Sequence, residues 1–155
     1  MNRIASLLKP YDAGTAWLSG RVPESLMLLF VRIVLGGIFW RSGQTKVVEG
    51  SWFTLNDTTV ELFRSEYAGV PLPAEWAAPL ASAAEHILPA LLLAGLFTRA
   101  SAFGLLVMTL VIQFFVYPDA WWPEHSLWVA LALILIVRGG GMFSLDALLV
   151  RRALG

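Results

Sequence analysis

The chain is predicted to be an all-α, polytopic membrane protein: a bundle of four transmembrane helices with short amphipathic helices at the interface. Two observations carry this. Of 155 residues 57% are hydrophobic and only 14% charged, with a mean hydropathy of +0.69, whereas soluble domains carry roughly a quarter charged residues. The apolar residues also gather into four stretches, at about 24–48, 74–97, 100–117 and 124–138. The first has ample length for about 30 Å of hydrocarbon and the last is the shortest.

Taken in order, residues 1–23 read as an interfacial lead-in. Ile4, Leu7, Leu8 and Tyr11 repeat at helical spacing, and Pro10, Gly14, Gly20 and Pro23 then interrupt the chain. In the first span Arg32, Gly36, Phe39, Gly43 and Lys46 fall at steps of four and three, hence on one stripe. Glycines there admit a second helix at close range. Arg41 lies about half a turn away from Arg32 and is expected at a vestibule or snorkelling to the interface. The connection at 49–73 holds a short amphipathic helix, with Thr58 and Glu61 fitting a capping box and Val60, Phe63 and Tyr67 on one side. It is expected on the membrane surface, as an anchor or as a lid.

The second span contains Glu85 and His86 with Pro89 four residues after the glutamate. Proline removes the N–H that would bond the Glu85 carbonyl, so a kink is expected there. The third span has Gln113 as its only strongly polar interior group, and an acidic, aromatic loop, PDAWWPEH, leads to the fourth. Residues 24–141 are thus the membrane domain, and 142–155 form a terminal interfacial helix capped at Ser144. Lys and Arg concentrate at one side of the spans, which places both termini in the cytoplasm and the Trp52 and Trp121 loops outside.

Ionisable groups at bilayer depth are expensive and mark function or pairing. At ~1.5 Å per residue, Glu85 lies roughly 13 Å from the outer ends, Arg41 about 10 Å and Gln113 about 6 Å, with Lys46 and His125 near the boundary. Arg32 lies deeper but can reach up. Two readings compete. One is a cavity open to the outside, lined by Glu85, His86, Gln113, His125 and Lys46, closed below by Arg32 and bordered by Arg41. The other is a structural ion pair of Glu85 with Arg32 or Arg41, with His86 and Gln113 in ordinary interhelical hydrogen bonds. No metal site is expected, because no E-x-x-H, H-x-x-H or cysteine spacing is present. Nucleotide-binding glycine motifs and a hydrolase triad are missing, and scattered basic residues give nucleic acid no footprint.

Three motif sets, Arg32/Gly36/Gly43/Lys46, Glu85/Gly95/Thr98/Arg99 and GGGMFSLDALL at 139–149, resemble the DoxX family of small bacterial membrane proteins. The likeness spans about 26–149. It implies a four-helix bundle of the bacterial inner membrane associated with redox chemistry, since relatives include a subunit of a thiosulfate:quinone oxidoreductase and others act with oxidative-stress partners. A quinone is therefore the candidate ligand, and the chain is expected to be a component of a redox or oxidative-stress system. Many members have His-Gly before the terminal lysine of the first helix; here Ser42-Gly43 stands instead, so a histidine role is not carried over to that position. The YPDAW and PEH elements at 117–121 and 123–125 resemble proteins encoded beside metal-stress peptides, which implies an alternative accessory or scaffold role. That alternative uses a periplasmic or membrane protein partner, or a second copy of the chain, bound through Trp121 and Trp122. Small-solute transport is the weakest reading, because four helices without an inverted repeat leave little room for alternating access.

Overall fold

The computed structural model describes residues 14–154, so the lead-in at Ile4 to Tyr11 lies outside the described residues. A helical turn at 14–18 precedes α1 (Arg21–Gln44). The order continues as α2 (Asp57–Ser65), α3 (Ala74–Ala94), α4 (Thr98–Phe115), a 3₁₀ turn (Pro118–Ala120), a π turn (Trp121–His125), α5 (Ser126–Arg138) and α6 (Leu145–Leu154). Among the described residues four segments are long and apolar enough to cross a bilayer: α1, α3, α4 and the continuous stretch Pro118–Arg138. The protein is an all-α, multi-pass membrane protein in contact with lipid.

The stripe on α1 faces inward. Arg32, Gly36, Phe39 and Gly43 are buried, and α1 packs along α3. A Cβ on Gly36 would come within 3.1 Å of Leu93, and one on Gly43 within 2.9 Å of the His86 ring and 3.1 Å of the Glu85 Cβ. The glycine at 43 is what lets α1 lie directly against the glutamate and histidine of α3. Leu28, Leu35, Phe39, Leu92, Leu105 and Leu135 fill the apolar centre of the bundle. Helix α3 runs through both Pro79 and Pro89 as one element.

Two local expectations are corrected. The capping box at Thr58 and Glu61 does not form: Asn56 is the N-cap of α2, and its Oδ1 accepts from the Thr58 and Thr59 hydroxyls at 2.9 and 2.6 Å. Glu61 instead faces Arg64, which also pairs with Glu75 on α3 at 2.8 Å. The first helix also stops at Gln44 rather than running through Lys46, and the chain turns so that the Lys46 N–H bonds the Gly43 carbonyl.

The end of the bundle away from Lys46 is knitted by the polypeptide itself. Gly95, at φ +70°, closes α3 with paired bonds from the Gly95 and Leu96 N–H groups to Leu92 and Leu91, a Schellman arrangement that favours glycine. The Asp146 carboxylate accepts from the Phe97 and Thr98 N–H groups at 2.8 and 2.9 Å, capping the start of α4 from the tail. Ser144 caps α6 through the Ala147 N–H. Arg32, fully buried, donates from Nη2 to the Phe143 carbonyl at 2.8 Å.

Candidate functional site

Near the opposite end lies a closed polar triangle. Lys46 Nζ is 2.7 Å from Glu85 Oε2, and both side chains are buried. The same nitrogen donates to Ser42 Oγ at 3.1 Å and to the Ser42 carbonyl at 3.4 Å, while Ser42 Oγ donates to Glu85 Oε1 at 3.1 Å. The ammonium thus has an ion-pair partner and two hydrogen-bond acceptors, the kind of surroundings in which a buried charge is tolerated. The lysine backbone is held as well: its carbonyl accepts from the Asn56 N–H and the Thr59 hydroxyl.

A cavity of about 650 Å³ opens beside Ser42, bounded by α1, α4, the Tyr117–Ala120 turn and the start of α5. Phe39 and Trp128 give it aromatic walls; Ser42, Tyr67, Tyr117, Glu124 and His125 give it polar groups. His125 is buried, and its Nδ1 lies 2.7 Å from Gln113 Oε1. Gln113 is oriented in turn, because its Nε2 donates to the Pro118 carbonyl at 2.7 Å. The amide oxygen can only accept, so Nδ1 carries the proton in the neutral ring and Nε2 keeps its lone pair. That Nε2 has no hydrogen-bond partner among the described residues.

Of the residues expected together, His125 reaches the cavity directly, Gln113 orients it, and Lys46 and Glu85 stand behind Ser42. The others lie elsewhere. The Glu85 carboxylate pairs with Lys46, not with Arg32 or Arg41: Arg32 is engaged at the far end by Phe143, and Arg41 is exposed. His86 has both ring nitrogens occupied, with Nδ1 donating to the Ser82 carbonyl at 2.7 Å and Nε2 accepting from Gln44 at 2.9 Å. Its ring packs edge-on to Trp40, away from the cavity. No group of three His, Asp or Glu side chains among the described residues is placed to share a metal ion.

The DoxX family profile matches residues 27–118, the segment that holds most of α1, the Lys46–Glu85 pair, Gln113 and Tyr67. This chain belongs to the DoxX family. An uncharacterized protein of Haemophilus influenzae is 28% identical over 135 residues, covering 83% of this chain and 86% of its own length. No solved structure matches. In this DoxX protein the profile ends at the cavity's 3₁₀ turn, so Glu124, His125 and Trp128 lie beyond it. Sequence reasoning also passed over Ser42 and Tyr67 as lining groups. Ser42 sits one residue before the buried Gly43 of the stripe, a register that carries it to the edge of the same face.

Tyr117 ties the cavity rim to the connection after α2 by donating its hydroxyl to Glu66. That hydrogen bond, with some burial, pushes Tyr117 up to about 12. Burial pushes Tyr67 above the ordinary tyrosine range too. A raised tyrosine contributes its tie fully below the ordinary value near 10 and loses it as pH rises through the folded value. Absorbance titration in the tyrosinate band is therefore expected to show an ionisation near 12 that Tyr117→Phe removes. Loss of a transition near the ordinary value of about 10 in that variant would mean the tie is not made.

Proposed function

We propose that this DoxX protein is a component of a membrane redox system whose cavity beside Ser42 receives a quinone ring. With the basic loops inside, the cavity lies in the outer half of a bacterial inner membrane. The observation that supports this reading most is the His125 arrangement: a buried imidazole lining an aromatic-walled space, its Nδ1 fixed by Gln113 and its Nε2 unengaged. A quinol hydroxyl donates to such a nitrogen. A quinone carbonyl accepts from the protonated ring or from the hydroxyl of Tyr67; Ser42 Oγ, whose proton goes to Glu85, can only accept. Quinol oxidation releases two protons and two electrons; the free Nε2 lone pair of His125 is placed to take up one of the protons. The chain has no cysteine to relay electrons, and on this reading they pass to or from a redox partner, which makes the protein a component of a larger system.

The test is equilibrium binding of a tail-less dimethoxymethyl benzoquinone to the purified protein. Saturable binding is expected, weakened on the order of tenfold, about 1.4 kcal/mol, by His125→Phe and by Tyr67→Phe. Non-saturable binding to the wild type would overturn the reading. A second reading, an accessory protein that captures a partner, draws on Trp122, 84% exposed at the same end; it requires that Trp122→Ala abolish capture while Tyr67→Phe leaves it intact.

A further inference from the structure

A second chamber adjoins the first. It holds about 290 Å³, lies under α2 between α3 and α4, and is almost wholly apolar. Its α3 wall is made of Ala77, Ala81 and Ala84, at steps of four and three and therefore on one face. Val107 and Met108 form the α4 wall, and the half-exposed Val107 marks where the groove meets lipid. Tyr67 and Ile112 line both chambers, so the partition between them is one side chain thick. Tyr67 is set in that partition by stacking on Phe63, with ring centroids 4.3 Å apart, and by an edge contact with Tyr117 at 6.4 Å.

Water has no reason to fill this groove. Its one charged neighbour, Glu85, already commits both carboxylate oxygens to Lys46 and Ser42, and a buried water needs two or more polar partners. The natural occupant is a hydrocarbon chain. We infer that the protein binds a single amphiphile whose polar ring lies in the His125 cavity and whose apolar tail runs past Tyr67 into the alanine-lined groove, entering sideways from the bilayer between α3 and α4. The inference rests on the ring site proposed above and adds a binding groove for the ligand's tail and a route of entry. The alanines follow from it: a larger residue at 77, 81 or 84 would fill the groove.

The experiment compares two probes on the full-length protein by equilibrium dialysis in one detergent: the tail-less dimethoxymethyl benzoquinone and the same ring carrying a decyl tail. Tail partitioning into micelles is common to all variants, so the readout is the affinity ratio of the two probes, variant against wild type. Ala81→Trp, which fills the groove, is expected to lower that ratio by about tenfold while leaving tail-less binding within about twofold of wild type. Val107→Trp, which fills the groove from its lipid-facing side, repeats the comparison if Ala81→Trp does not fold. A ratio unchanged in the folded variants puts the tail in bulk lipid or detergent and overturns the inference while the ring site stands. Failure of the tail-less ring to bind the wild type overturns both.

Discussion

Lys46→Ala is expected to destabilise the protein by about 3–5 kcal/mol, because it strands a buried carboxylate. Glu85 is 2% exposed, and its other partner, the Ser42 hydroxyl, supplies one neutral hydrogen bond. The loss is thus dominated by the uncompensated charge rather than by the methylenes of the lysine stem. Replacing both partners by apolar residues of similar size, Lys46→Met with Glu85→Leu, removes both charges and is expected to recover most of the stability. The two variants separate pairing from packing: chemical unfolding in detergent should rank wild type and the double variant together, well above Lys46→Ala. If Lys46→Ala unfolds within about 1 kcal/mol of the wild type, the pair is not holding α1 to α3.

Gly95→Ala is expected to be comparably damaging, for two independent reasons. The φ of +70° disfavours any side chain by about 1–2 kcal/mol. A Cβ at this position would also stand 1.9 Å from Arg32 Nη1 and 2.8 Å from the Ser144 Cα. The second of these is backbone and cannot swing aside, and Arg32 is fully enclosed with one hydrogen bond to keep. Overpacking of this kind costs typically about 1–3 kcal/mol on its own. Gly37→Ala is the control: nothing lies within 4 Å of its added Cβ, and alanine in mid-helix is better than glycine by up to ~1 kcal/mol. Thermal unfolding in detergent should place Gly95→Ala far below the wild type and Gly37→Ala level with it or above. Equal melting of the two alanine variants would show that the turn tolerates the clash.

The bundle was legible because lipid imposes a coarse rule on sequence: long apolar runs become helices, and small residues recurring at steps of three and four mark where helices touch. Gly36 and Gly43 follow that rule and are buried. The partner of Glu85 escaped it. Depth counted along straight helices puts Lys46 at the boundary, yet the helix ends before it, and the lysine stem turns back under Ser42. Arg32 was drawn upward toward Glu85 by the reach of its side chain; its acceptor is a backbone carbonyl of the tail, which no residue type announces. His125 and Gln113 were each visible as isolated polar groups, but their relay depends on the 3₁₀ turn that brings the Pro118 carbonyl to Gln113. Tyr67 read as one side of a surface helix; that it divides two chambers is a property of the assembled helices alone.

The bond from Arg32 to the Phe143 carbonyl spans 111 positions of the chain, and it bears on how the molecule is made. Synthesis runs from the amino end, so α1 meets the bilayer long before residue 143 leaves the ribosome. For that interval a guanidinium destined for full enclosure lacks its acceptor, and Gly95 has yet to close over it. Until Phe143 arrives, that guanidinium must be met by another acceptor or by water. A chain terminated ahead of Phe143 would carry four apolar segments and still have no place to seat its most deeply buried charge.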